Sequence, residues 1–190
     1  MKKLLLSIIF FGSFFSVFAQ NVKVQQTTSN KERKPLVRIA TLTKVGDNVP
    51  DFTFETEPGK TVSISDYKGK LILINLFATW CPPCNAELPL MQKDIWEKHK
   101  NDPNFCLFVF GRAQDWEKVS AFKNQKGFTF LILPDKDTSI FNKFAKAGSS
   151  QVGIPRNILI GKNGEIIYQS LGFIEDEFNK MGGMIDEKLK

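Results

Sequence analysis

The chain has 190 residues, 42% of them hydrophobic and 24% charged, with a formal net charge of +6. That suffices for one domain of about 150 residues with its own buried core, and it excludes a peptide, a collagen or a wholly disordered tail. Three cysteines are too few for a disulfide-stapled scaffold, and the single histidine, His99, excludes histidine-rich metal sites and leaves little for a His-based triad. From the N-terminus, Lys2 and Lys3 precede an apolar run over 4–18, with Val17 and Ala19 at the minus-three and minus-one places before Gln20. This layout predicts a secretory signal at 1–19, cleaved after Ala19, and so an exported, periplasmic protein. The run is shorter than the roughly 20 residues of a spanning helix, which disfavours a retained membrane anchor. The stretch 20–44 predicts a flexible exported linker, because its Gln, Thr, Ser, Asn and Lys cannot bury enough surface to offset their ordering entropy. Residues 20–50 hold six basic and two acidic side chains, whereas 51–190 hold 18 of each. The charge excess therefore sits on the N-terminal arm, and the domain over 45–190 has no electrostatic footprint for nucleic acid.

Within that domain strand and helix signals alternate. Residues 52–55 and 61–64 predict a hairpin around Glu57-Pro58-Gly59-Lys60, a turn sequence. Residues 71–77 are almost continuously apolar, the pattern of a strand covered on both faces. The run ends in Trp80-Cys81-Pro82-Pro83-Cys84, after which 86–100 reads as a helix, with a kink expected at Pro89. A second buried strand at 105–110 is followed by a helix near 115–124, a strand at 130–133 and a helix near 138–145. A strand at 157–160, the turn Lys162-Asn163-Gly164, a strand at 165–170 and a helix from Glu175 close the chain. The pattern predicts an α/β fold with a central mixed β-sheet flanked by helices and an N-terminal β-hairpin extension.

A helix that starts directly after a strand leaves unpaired N–H groups and a positive dipole end, and Cys81 falls at that end. Both favour the thiolate, which is the attacking species in disulfide exchange. Cys84, in the first turn, is placed to resolve a mixed disulfide on Cys81. Pro82 and Pro83 cost little at a helix start and stiffen the loop. A zinc half-site and a purely structural disulfide are the competing readings of the pair, but a closed zinc site needs two more ligands, and only Cys106 and His99 remain. Cys106, inside an apolar strand, reads as a small buried hydrophobe.

Trp80-Cys81-Pro82-Pro83-Cys84 after an apolar strand, together with Val152-Gly153-Ile154-Pro155 and the Lys162-Asn163-Gly164-Glu165 turn, resembles the thioredoxin fold. More narrowly, the signal sequence, Val45-Gly46-Asp47-Asn48-Val49-Pro50-Asp51-Phe52 and Cys84-Asn85-Ala86-Glu87-Leu88-Pro89 resemble the TlpA/ResA-like exported thiol-disulfide oxidoreductases. The likeness covers about 45–175 and rests on several ordered motifs. It implies that Pro155 is a cis-proline facing the cysteines and that Ile154 offers backbone groups to an extended substrate. Thioredoxin carries a proton-accepting aspartate where this chain has Asn75, which cannot take a proton. Glu87 matches the glutamate of ResA-like reductases and is the expected base for Cys84. Trp80 is expected to shield the pair and line the docking surface. Arg156, where the family commonly has threonine or serine, either biases substrate choice or faces solvent.

The resemblance implies a protein-disulfide reductase type of enzyme, with no cofactor, no metal and no nucleic-acid partner. Protein disulfides are the expected substrates, a membrane thiol carrier the expected electron donor and a monomer the expected state. Pro82-Pro83 lacks the histidine of strong oxidases, which favours a reductant. No Cys-x-x-Cys-His motif occurs, so the chain carries no c-type haem, although service to apocytochromes in cytochrome c maturation fits the resemblance. Two rivals share the fold. A peroxiredoxin-like peroxidase needs a threonine where Ala78 stands, and a copper-binding assembly factor pairs Cys-x-x-x-Cys with a distant histidine, whereas here the spacing is shorter and His99 follows on the same predicted helix.

Overall fold

A computed structural model describes residues 41–146 and 153–190. The predicted signal over 1–19, most of the linker over 20–44, and Val152 of the Val-Gly-Ile-Pro motif lie outside the described residues. Among the described residues, Thr41 bridges to Ala145 and Leu42 N–H donates to Phe144 O at 2.9 Å. Thr41 and Leu42, expected in the linker, thus contact the domain.

The expected hairpin forms as β1 (Thr53–Glu57) and β2 (Lys60–Ser63), turning through Gly59 at φ +80, and a short 3-10 turn (Ile64–Tyr67) follows. The main sheet has five strands, β3 (Leu71–Phe77), β4 (Phe105–Arg112), β5 (Leu131–Asp135), β6 (Arg156–Ile160) and β7 (Ile166–Leu171), in the order β5-β4-β3-β6-β7. β3, β4 and β5 run parallel, whereas β6 lies antiparallel to β3 and β7 antiparallel to β6. Every residue of β3, at the sheet centre, is buried, as a strand covered on both faces requires. Pro134, which cannot donate to a ladder, sits on the edge strand β5, where that deficit is tolerated.

Helix α1 begins at Pro82, four residues before the expected start at 86, because Cys81 itself caps it and the two prolines occupy positions whose N–H groups have no intrahelical acceptor. The helix (Pro82–Leu90) runs on through Pro89 and opens into a wider π-helical stretch (Met91–Trp96) before a last turn (Glu97–His99). Met91 N–H is shared between Glu87 O and Leu88 O just beyond the proline, so the displaced hydrogen-bond ladder is absorbed over several residues. α2 (Trp116–Lys126) is capped by Asp115, whose carboxylate accepts from Lys118 N–H, and ends at Gly127 in the left-handed conformation. α3 is one turn (Phe141–Phe144), shorter than the expected 138–145, because Asp135 binds the N–H groups of Ile140 and Phe141 and delays its start. α4 (Glu175–Lys188) buries Phe178, Met181 and Ile185 along one face.

The strand alternation sorts the core into two layers. Leu71, Leu73, Phe77, Phe105, Leu107 and Val109 face α1, α2 and α4, whereas Ile72, Ile74, Leu76, Phe108 and Phe110 face the hairpin and α3. On that second side Phe52, Phe54, Phe108 and Phe110 meet largely edge to face, with Phe54 and Phe108 centroids 5.0 Å apart.

Candidate active site

β3 ends at Phe77 and a tight corner, residues 78–80, delivers Cys81 to the N-terminus of α1. Cys81 and Cys84 form a disulfide with Cα atoms 5.3 Å apart, and Cys84 N–H donates to Cys81 Sγ at 3.3 Å. The first sulfur is thus itself the helix cap, accepting from Cys84 N–H, the first N–H of a helix whose Pro82 and Pro83 carry none, and lying at the positive dipole end. Cys81 is 3% exposed and Cys84 is sealed, while Trp80 beside them is 63% exposed. A dithiol so arranged can be approached at Cys81 first, with Cys84 reaching an incoming sulfur through it.

The corner is bracketed from two sides. Thr79 N–H donates to Gln114 Oε1 at 3.1 Å, and Gln114 Nε2 donates to Thr79 Oγ1 at 2.7 Å. From within α1, Asn85 Nδ2 donates to Thr79 O at 2.9 Å and Cys81 O at 3.0 Å.

One turn along α1 from Cys84 lies Glu87, 1% exposed. Asn75 Nδ2 donates to its Oε2 at 3.1 Å and Asn157 Nδ2 to its Oε1 at 2.6 Å; Asn75 also donates to Asn157 Oδ1 at 2.8 Å. Asn157 Nδ2 reaches Ser170 Oγ at 3.3 Å as well. Burial pushes the Glu87 carboxyl from an ordinary value of 4.5 up to about 7, against the two amide donors, which favour the ion. A carboxyl so held exchanges its proton near neutrality. Asn75, expected only as a residue unable to take a proton, is therefore a donor to Glu87. Asn157 was not singled out from sequence, although a polar residue inside the apolar run of β6, two places after Pro155, was a signal for it.

The Ile154–Pro155 peptide is cis. The β3–β6 register pairs Leu76 with Arg156, so Pro155 comes at the end of the sheet where the cysteine corner begins. Ile154 packs against the layer that contains Cys81 and Cys84. Gly153, at φ +141, has no room for a Cβ, which would lie 2.8 Å from Phe141 Cζ. Arg156 does not face solvent: it is 1% exposed and its Nη1 donates to Thr41 Oγ1 at 2.9 Å, and burial lowers its guanidinium to about 10. Its side chain goes to the hairpin side of the sheet because β6 alternates, with Asn157 pointing to Glu87.

Cys106 and His99 are not brought to the pair. Cys106 pairs with Ile72 and contacts the opposite layer, half-buried rather than fully buried, with burial pushing its thiol up. His99, at the far end of the α1 helix, bonds to Asp186 at 2.7 Å. Among the described residues no three His, Cys, Asp or Glu side chains cluster as metal ligands would.

The redoxin family model matches residues 44–185. ResA, a thiol-disulfide oxidoreductase of Bacillus thuringiensis, is 30% identical over 130 residues, which cover 68% of this chain and 70% of that protein. The thioredoxin-like protein YneN of Bacillus subtilis is 39% identical over 92 residues, covering 48% of this chain and 54% of its own. Among solved structures, a candidate protein disulfide isomerase from Bacteroides thetaiotaomicron superposes with a TM-score of 0.72 at 36% identity, over 80% of this chain and 93% of its own.

Proposed function

This chain belongs to the redoxin family, as a thioredoxin-fold thiol-disulfide oxidoreductase of the TlpA/ResA-like kind, and from that premise we propose that it reduces protein disulfides through Cys81 and Cys84. The Cys81 thiolate attacks one sulfur of the substrate disulfide, forming a mixed disulfide and releasing the substrate's other sulfur as a thiolate. Cys84, losing its proton, attacks Cys81 Sγ, forms the Cys81–Cys84 bond and releases the substrate's second thiolate. Two electrons pass from the dithiol to the substrate. Glu87 is the base for Cys84, and the observation that carries the reading is this buried carboxyl, poised near neutrality one helical turn from a cysteine pair that caps the same helix. The substrate chain lies at exposed Trp80 and half-buried Ile154, with cis-Pro155 buried behind them.

The working setting is exported: residues 1–19 direct secretion and are removed after Ala19, residues from Gln20 tether the domain, and a membrane thiol carrier returns the enzyme, a monomer, to its dithiol form. Apocytochromes in cytochrome c maturation are among the protein disulfides that suit it. Equilibration in defined thiol buffers, with Cys106 replaced, tests the direction. A potential near about −270 mV supports the reductant, whereas one near about −120 mV replaces it with an oxidant. N-terminal sequencing of the exported protein should begin at Gln20; retention of residues 1–19 would overturn the cleaved signal.

A further inference from the structure

We propose that Gln114 is a positioning residue of the redox pair: through Thr79 it holds the corner that delivers Cys81 to the N-terminus of α1. The inference rests on the reading of Cys81 as the attacking thiolate. Gln114 lies in the loop between β4 and α2, where a glutamine side chain would ordinarily face water, yet it is 3% exposed. A buried amide left unpaired is costly, and here both ends of the amide are satisfied by one residue, Thr79. The α2 cap is supplied by Asp115, so Gln114 is not needed to start that helix.

The loop is shaped around this placement. Ala113, directly before Gln114, stands at φ +55, a region that L residues with a Cβ rarely enter and that tends to persist where the surroundings enforce it. Gly111 admits no side chain, since a Cβ would lie 2.6 Å from Val119 Cγ1 and 3.0 Å from Gln114 Oε1. With Asn85 holding Thr79 O and Cys81 O, and Ala78 O accepting from Cys81 N–H at 3.1 Å, the main chain on both sides of Trp80 is tied down. Gln114 is the part of this bracket that comes from a different element. Trp80 can therefore stay exposed for a partner while Cys81 Sγ stays at the Cys84 N–H.

Loss of the bracket lets Cys81 leave its capping position for part of the time. Its thiolate then loses the Cys84 N–H and the dipole, and the dithiol form loses stability relative to the disulfide. The test uses the full chain with Gln114→Leu, Thr79→Ala and Thr79→Ser. Alkylation of the reduced protein by iodoacetamide is followed against pH and mapped by peptide, alongside equilibration with glutathione. Gln114→Leu is expected to raise the Cys81 thiolate pKa and slow its alkylation at pH 7 by about three- to tenfold. Thr79→Ala should do so by less, and Thr79→Ser should match the wild type. The glutathione equilibrium should move by a similar factor toward the disulfide. Unchanged Cys81 titration and an unchanged equilibrium in Gln114→Leu would overturn the proposal, even if both redox forms unfolded more easily. Should Gln114→Leu fail to fold, Thr79→Ala reads the same two quantities with the core intact. If wild-type Cys84 proves to be the alkylated thiol, the assignment of the attacker fails, and the bracket is judged on the glutathione equilibrium, which needs no such assignment.

Discussion

The two faces of the central sheet are built from the same five strands and do different work. On the α1 side β3, β6 and β7 contribute Asn75, Asn157 and Ser170 to a polar inclusion around Glu87, beside a disulfide that caps a helix. On the hairpin side the facing residues of β3 and β4 are Ile72, Ile74, Leu76, Phe108 and Phe110, closed over by Phe52, Phe54 and Phe144. Burying a carboxyl costs free energy, and burying phenylalanine releases it. Both sides bury apolar surface, and the α1 side carries in addition, around Glu87, a cost that the proposed mechanism uses.

Variants on each side should separate these roles. The largest effect is expected from Cys81→Ser, which should abolish disulfide exchange in a turnover assay with an intact fold, because no sulfur remains at the helix cap. On the opposite face, Phe110→Ala should cost about 3–5 kcal/mol in denaturant unfolding, through lost burial and the cavity left behind, with the reduction potential of the pair unchanged. A shifted potential would mean that the two faces are not separable.

Glu87 gives the comparison a pH signature. Its folded-state pKa lies above its unfolded value, so between about 4.5 and 7 the oxidised native protein binds more protons than the unfolded chain, and stability falls as pH rises through that window. A rise from 4.5 to about 7 corresponds to on the order of 3 kcal/mol, absent in Glu87→Gln. Unfolding of oxidised wild type and variant at pH 5 and pH 8 reads the difference directly. The same variant should slow resolution of the mixed disulfide and erase a kinetic inflection near pH 7; an unchanged profile would leave Glu87 a structural group. Asn157→Ala should move that inflection upward, since it removes a donor that favours the ion. The smallest effect is expected from Cys106→Ala, which lies on the other face and should leave the exchange rate unaltered.

What could be read from sequence follows the same division. The runs at 71–77 and 105–110 are apolar on both faces, so their burial and the α/β order were legible from composition alone. The cysteine pair, Glu87 and the cis-proline were legible because they sit in local motifs. Asn157 and Gln114 were not, because their significance lies in partners 70 and 35 residues away. The apolar pattern of α1 sets in only at 86, but prolines at a helix start and a cysteine at its end already mark the beginning that the Cys81 cap makes. Arg156 shows the limit most plainly: an arginine after a proline gives no local sign that strand alternation will bury it behind the sheet.

In the proposed mechanism Cys81 attacks and Cys84 resolves. Incubating reduced Cys84→Ser with a disulfide-bonded protein at pH 7 and mapping any covalent adduct by mass spectrometry checks that order. A stable mixed disulfide on Cys81 is the predicted result. An adduct on Cys106, no adduct at all, or undiminished turnover would contradict it.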